Sequence, residues 1–185
     1  MKLLNCLALL MMLAACQSSD MNQYRALIKK ELNKNKKVND IFFGISLGMT
    51  SKDFYVQCWN KNKEGLFTDG PGNTSVLYEL PHNELVHDAE MNFYPEFKND
   101  RIYKLWVKFR YKGWSPWNKH LSAERLLPEV VRLYQRWYPG SNAFITITDP
   151  KRGTLYVKVD GNRQIIIGIF DDTDVKVEYT DLSVK

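Results

Sequence analysis

Cysteine and histidine are scarce in this chain of 185 residues, which contains three of each. The cysteines (Cys6, Cys16 and Cys58) lack the short spacings of zinc-binding motifs. Phosphate-cradling glycine loops and the serine motifs of hydrolases are also missing from the sequence. No apolar run reaches the roughly 20 residues that a membrane-spanning helix needs. We therefore expect no metal, no cofactor and no catalytic residues, and predict that the protein is not an enzyme.

A short apolar segment opens the chain. Lys2 precedes it, and residues 3–13 are apolar apart from Asn5. This pattern fits the charged and hydrophobic parts of a secretory signal, and small residues then mark a cleavage site. The segment ends in Leu13-Ala14-Ala15-Cys16, which resembles the lipobox of bacterial lipoproteins. The resemblance implies that residues 1–15 are a signal peptide, that the Cys16 thiol is diacylated, and that the new N-terminus is acylated. The alternative is an ordinary secretory signal with an incidental cysteine.

The implied anchor predicts a location in the cell envelope. A chain processed at Cys16 has 170 residues, enough for one domain with a real core. Gln17 follows the lipid site, whereas an aspartate there often retains Gram-negative lipoproteins at the inner membrane, so we expect the outer membrane. The net charge of +5 is typical of partners such as nucleic acid or anionic membrane. Outside the cytoplasm we expect no nucleic acid, and interpret the charge as a solvated basic surface beside a membrane.

Residues 16–40 are polar and rich in lysine. Tyr24, Leu27, Ile28 and Leu32 give only a thin apolar stripe at helical spacing, which predicts a lipidated tether containing a marginal helix. Its lysines would lie near anionic lipid. Residues 41–185 are predicted to form a single domain.

Helix and strand patterns alternate along this domain. Residues 41–47 predict a strand, and Thr50 caps a helix that buries Phe54, Tyr55, Cys58 and Trp59. A second helix is predicted over residues 122–138, with Pro128 breaking its first turn. Including these elements, the order is strand, helix, three strands, helix, four strands. Short turns make consecutive strands antiparallel. The predicted fold class is α+β, with two tandem helix-plus-antiparallel-meander units over about 41–118 and 119–185.

The motif Ile45-Ser46-Leu47-Gly48-Met49-Thr50 enters the first of these helices. It resembles the helix-entry motif of small outer-membrane-assembly lipoproteins, and the element order is similar to the β-lactamase-inhibitor-protein fold. Both families bind proteins and lack catalytic residues. The resemblance implies a non-enzymatic protein-binding or scaffolding module, and we carry over no individual binding residue.

The clearest strand pattern, residues 101–112, supplies a candidate binding face. Tyr103, Leu105, Val107, Phe109 and Tyr111 alternate with polar residues, so they are predicted to face the helices. The candidate face comprises the alternate residues of the strand and the loop that follows: Lys104, Trp106, Lys108, Arg110, Trp114 and Trp117.

Two ligands remain open for this face. Exposed tryptophans anchor protein partners or stack on sugar rings, so the leading hypothesis is an envelope protein partner and the alternative is a glycan, in an accessory role. A third interpretation is that the tryptophans cover the sheet and the lysines are simply solvated. The cluster His82, Glu84, His87, Asp88 and Glu90 is interpreted as a polar loop, because its spacing suits neither helix nor strand ligation.

Overall fold

The computed structural model describes residues 20–140 and 142–184. The predicted signal peptide and the predicted lipid site at Cys16 lie outside these residues. Three α-helices are described: α1 (residues 20–33), α2 (Ser51–Lys63) and α3 (Ala123–Trp137). No helix in the described ranges is long and apolar enough to cross a bilayer.

Eight strands form one antiparallel sheet. Along the sheet their order is β1-β2-β3-β4-β8-β7-β6-β5, and the prediction of an α+β fold is confirmed. Their bounds are β1 (Phe67–Asp69), β2 (Val76–Glu79), β3 (Ala89–Lys98), β4 (Arg101–Tyr111), β5 (Ile145–Asp149), β6 (Gly153–Asp160), β7 (Arg163–Ile169) and β8 (Asp174–Asp181).

The larger core lies between the sheet and helices α2 and α3, on what we call the first face. Leu105, Val107 and Phe109 of β4 are fully buried there, as the alternation predicts. Tyr179 of β8 pairs in register with Leu105 and joins them. α3 contributes Leu126, Val130, Leu133 and Tyr134, all fully buried. Burying such side chains contributes about 1.5–3 kcal/mol each.

Helix α1 covers part of the opposite side, the second face. Its apolar residues Met21, Tyr24, Leu27 and Ile28 pack on a smaller cluster formed by Ile147, Leu155, Val157 and Val159. The Tyr24 hydroxyl donates to Gln164 Oε1 at 2.5 Å. The described part of the predicted tether, residues 20–40, is thus docked on the sheet. A thin apolar stripe is sufficient for docking because it packs against the apolar surface of the strands.

Buried polar contacts hold the end of α1. Glu31 is buried and accepts from the Gly161 N–H at 3.1 Å and from Lys34 Nζ at 2.5 Å. The Val38 N–H donates to Asn162 Oδ1 at 2.7 Å. Burial raises the pKa of Glu31, but hydrogen bonds from Lys34, Asn142 and Gly161 outweigh it and lower the pKa to about 2.

The strand predicted for residues 41–47 is wrong. Phe43 and Gly44 have φ angles of +50° and +78°, so the chain turns there instead of extending. The two sides of this turn are linked by the isolated bridge between Asp40 and Ser46 and by backbone hydrogen bonds from Ile41 to Ile45 and from Leu47 to Asn39. Ile41, Ile45 and Leu47 nevertheless reach the core, so the apolar alternation reports burial without a strand.

Helix α2 begins as predicted but buries less than predicted. Thr50 Oγ1 accepts from the Asp53 N–H at 3.1 Å and donates to its carboxylate at 2.7 Å. Only Phe54 is buried, whereas Trp59 is 61% exposed and Tyr55 is exposed as well. Cys58 is half-buried, and burial raises the pKa of its thiol to about 11.

Helix α3 also differs in detail. The helix is continuous from Ala123 to Trp137 with Pro128 inside it, so the predicted break is wrong. Pro128 lacks the N–H that would bond to the Glu124 carbonyl. Both residues are exposed, so water can satisfy that carbonyl and the helix continues.

A bulge changes the start of β4. In the β3–β4 register Glu96 pairs with Lys104 and Phe97 pairs with Ile102, which leaves Tyr103 without a partner. Ile102 therefore enters the core in place of Tyr103, whose hydroxyl instead donates to Glu96 at 2.9 Å. The predicted core position of Tyr103 is wrong, while the rest of the alternation holds.

Candidate functional site

The second face of the sheet is covered over only part of its width. The register aligns Trp106 (β4), Glu178 (β8), Ile166 (β7) and Val157 (β6) in one row across four strands. Helix α1 packs over the Val157 end of this row. Trp106 belongs to neither apolar cluster of the described residues, and the row continues from it to Tyr94 of β3, whose hydroxyl contacts that of Tyr55 on α2. We call the uncovered part the open half; its residues are Lys104, Trp106, Lys108, Arg110, Lys176, Glu178 and the adjoining Phe170.

Arg110 and Lys108 are held by one buried carboxylate. The Arg110 guanidinium donates two hydrogen bonds to Asp174, at 2.7 and 3.0 Å. Lys108 Nζ lies 3.6 Å from the same carboxylate, whose side chain is 3% exposed. The paired hydrogen bonds that Arg110 donates to Asp174 raise the pKa of Arg110. This arrangement fixes two cations at the surface in a defined geometry.

Phe170, just after β7, extends this group. Its ring lies 3.9 Å from Lys108 Nζ and 5.8 Å from Lys176 Nζ, both within cation–π range. The ring is 52% exposed. Sequence reasoning missed this residue, because nothing in the local pattern placed the end of β7 beside β4.

Acidic neighbours balance the cations of the open half. Lys176 Nζ lies 2.7 Å from Glu178, and Lys104 Nζ lies 4.0 Å from Glu96. Burial raises the pKa of Glu178, but the hydrogen bond from Lys176 and the charges of Lys104 and Arg152 lower it overall. The open half is therefore mixed in charge, with aromatic rings between the ion pairs.

Two grooves flank these residues. One of about 250 Å³ is lined by Trp106, Lys108, Arg110 and Asp174, with the loop of residues 71–75 as its rim. The other, about 450 Å³, is lined by Phe170, Lys176 and Glu178 together with Arg152 of the β5–β6 turn. Both grooves lie on the second face, so the surface of the open half is grooved rather than flat.

The structure divides the predicted candidate face. Lys104, Trp106, Lys108 and Arg110 share the open half, as their alternation predicts. Trp114 instead packs partly against the main core and lines a separate groove of about 690 Å³ with His120, Asp171 and Asp172. Trp117 is 82% exposed, and it lines neither groove of the open half.

In the predicted polar loop around His82, Glu84 forms an ion pair with Arg136 at 3.0 Å. His82 Nδ1 lies 2.7 Å from the Asp88 carboxylate, and both residues are exposed. The His87 ring contacts Tyr111 and His120 edge-on or tilted. Among residues 20–140 and 142–184 no group of three or more His, Cys, Asp or Glu side chains could hold a metal ion.

A second exposed apolar group lies on α2. Tyr55, Val56 and Trp59 are each more than half exposed, and Lys63 Nζ lies 5.3 Å from the Trp59 ring. The Tyr55 hydroxyl pairs with that of Tyr94 at 2.8 Å. The sequence signal was misleading here, because aromatic residues at helical spacing predict a buried stripe.

No family model, no curated protein and no solved structure matches this chain.

Proposed function

We propose that the protein is a lipid-anchored lipoprotein of the cell envelope, in the outer membrane, that binds another protein without catalysing a reaction. The motif Leu13-Ala14-Ala15-Cys16 supports the anchor. The observation that carries the binding role is the open half of the second face, where a sheet covered elsewhere by helices leaves Trp106 and Phe170 beside ordered cations.

The chemistry of the open half suits a protein partner. Tryptophan and arginine are enriched among the residues that dominate binding energy. Arg110 is already oriented by Asp174, so little side-chain freedom is lost on association. The mixed charges favour a partner surface of equally mixed charge, since each ion pair can be matched rather than left unpaired.

An affinity pull-down from solubilised envelopes tests the binding role. The bait is the intact chain, and the double variant Trp106→Ala/Phe170→Ala is compared with Trp59→Ala, which removes an exposed tryptophan from α2. We expect the double variant to lose a stoichiometric protein partner and Trp59→Ala to retain it. Loss with Trp59→Ala alone would move the binding surface to α2 and contradict the proposal for the open half.

The anchor is tested separately by the mass of the N-terminal peptide from the native host. We expect a peptide that begins at Cys16 and carries acyl chains. An unmodified Cys16 would contradict the anchor, while leaving the binding role of the open half to the pull-down.

We also propose that the domain consists of two tandem helix-plus-meander units, an arrangement like that of the protein-binding folds that the sequence resembles. In this interpretation α2 with β1–β4 and α3 with β5–β8 are two equivalent helix-plus-meander units, about residues 41–118 and 119–185. The symmetric order β1-β2-β3-β4-β8-β7-β6-β5 is what two such meanders produce when they meet through their last strands. A superposition that fails to align one unit's helix and strands with the other's would contradict this.

Glycan binding is the second candidate, favoured by the groove at Trp114. An indole wall with two nearby carboxylates, Asp171 and Asp172, suits a sugar ring that stacks and donates hydrogen bonds. Affinity electrophoresis in gels containing cell-wall polysaccharide tests this. Retardation that Trp114→Ala abolishes would support a glycan-binding accessory role, and unchanged migration of both proteins would contradict it.

A further inference from the structure

We propose that the outward side of α1 and the turn after it form a membrane-contact surface that rests on anionic headgroups of the bilayer holding the protein. This basic surface consists of Arg25, Lys29, Lys30, Lys36 and Lys37. The proposal rests on the N-terminal lipid proposed above, and adds the orientation of the domain to it.

The position of α1 sets which side of the helix faces outward. Met21, Tyr24, Leu27 and Ile28 are turned to the sheet, and all five residues of the basic surface are exposed. The contacts of Glu31 with Gly161 and of Val38 with Asn162 hold the segment in place. The cations are therefore presented by a docked element rather than by a free tail.

The charges of the basic surface are not neutralised within the described protein. Residues 20–40 contain six basic and three acidic side chains. Glu31 is buried and pairs with Lys34, while the five residues of the basic surface form no ion pair with any residue of 20–140 or 142–184. By contrast, the cations of the open half have carboxylate neighbours. An external anion is the natural counterpart for such unpaired charges.

The distance to the lipid site points to the bilayer as that anion. Only four peptide steps separate Cys16 from residue 20, where the described part of α1 begins. Four residues span at most about 14 Å. Attraction of basic residues to an anionic leaflet acts within a Debye length, about 8–10 Å. Because α2 and α3 lie across the sheet from α1, the outward side of α1 is the broad surface nearest to the membrane.

Lysine footprinting on the intact protein tests this orientation. The protein is reconstituted into phosphatidylcholine vesicles with or without phosphatidylglycerol, acetylated briefly, and each lysine is read by mass spectrometry. We expect the reactivity of Lys29, Lys30, Lys36 and Lys37 to fall in the anionic vesicles and to recover in high salt. Lys52 on α2 and Lys119 before α3, both exposed, are the internal references and should not change.

Two results would overturn the proposal. One is equal reactivity of the α1 lysines in the two vesicle types, or a fall shared equally by Lys52 and Lys119. The other is protection by soluble dextran sulfate without any difference between the vesicle types, which would assign the surface to a dissolved polyanion.

The N-terminal peptide mass from the same preparation separates this test from that of the anchor. If no lipid is found, the anchor fails, and co-sedimentation of the protein with the two vesicle types still tests the surface. We then expect Lys29→Gln/Lys30→Gln/Lys36→Gln/Lys37→Gln to weaken binding to anionic vesicles about tenfold or more. The control, Lys52→Gln/Lys63→Gln/Lys119→Gln/Arg125→Gln, should bind as wild type does; equal loss in both variants would contradict the proposal.

Discussion

Glu31 of α1 accepts a hydrogen bond of 3.1 Å from the backbone N–H of Gly161, which lies 130 residues away in the turn between β6 and β7. Gly161 has a φ of +57°, and a side chain there would run into the carbonyl oxygen of Lys36. The turn therefore lies very close to α1 and to the residues that follow it. It contacts both the Glu31 carboxylate and the backbone at Lys36. This pair adds a buried polar contact to the apolar packing that attaches α1 to the sheet.

We predict that Glu31→Gln lowers the free energy of unfolding by about 1–3 kcal/mol at neutral pH, because the amide accepts less strongly from Gly161 and loses the ion pair with Lys34. Urea unfolding measures the change. Glu64→Gln is the control, since its pair with Lys61 is exposed and contributes about 0–1 kcal/mol.

The same pair predicts a pH dependence. The pKa of Glu31 is about 2 in the folded chain against 4.5 for the free side chain, so the folded state favours the ionised form. This contribution is fully present above about pH 4.5 and is lost as the pH falls toward 2. The difference in unfolding free energy between wild type and Glu31→Gln should therefore shrink across this interval. A difference that stays constant down to pH 2 would show that the carboxylate charge is irrelevant.

On β4 we predict opposite outcomes for adjacent residues. Leu105→Ala should lower the free energy of unfolding by about 2–5 kcal/mol, because it leaves a cavity in the core. Trp106→Ala should cost less than Leu105→Ala, since its side chain is half-buried rather than fully buried. Thermal or urea denaturation of both variants decides it. Equal losses would mean that the open half is itself a second core.

We further predict that Arg110→Ala costs about 1–3 kcal/mol of unfolding free energy. The substitution leaves the buried Asp174 carboxylate with Lys108 at 3.6 Å as its remaining ion-pair partner among the described residues. Lys104→Ala is the matched control, because its 4.0 Å contact with Glu96 is solvent-exposed and is worth about 0.5 kcal/mol or less. Equal and negligible losses in the two variants would show that Asp174 does not need Arg110.

The Cys58 thiol should react slowly in the folded protein. Its pKa is raised by burial to about 11 from a usual value of 9.0, so the thiolate fraction at neutral pH falls about a hundredfold. We expect alkylation of the Cys58 peptide by iodoacetamide to accelerate about a hundredfold or more on unfolding in guanidinium. Similar rates in the folded and unfolded chain would contradict the burial of this thiol.

The parts of the fold that the sequence could predict are those whose signals are local. The alternation in β4 and the apolar stripe of α3 each extend over ten or more residues, and both elements are present. The docking of α1 could not be predicted, because its partners Gln164, Gly161 and Asn162 are more than 100 residues away. Its own lysines resemble those of a solvated segment.

The candidate site was predictable to the same extent. Lys104, Trp106, Lys108 and Arg110 share a face because a strand's pleat fixes that. Phe170 and Asp174 lie beside them only because β4 pairs with β8. The order of the strands along the chain does not predict this pairing. Likewise, Trp114 and Trp117 lie apart from these β4 residues because the chain turns away at Gly113, where φ is +73°.

On the second face, α1 packs over β6, whereas its apolar residues do not reach β4. A helix is about 10 Å across, so the surface drops by that height between the Val157 and Trp106 ends of the same row. One layer of polypeptide has the thickness of this step. Such a layer is a single helix or a pair of strands that lies beside α1. A partner of that thickness would complete the missing layer and leave the two parts level, whereas a thicker domain would meet the flank of α1 first.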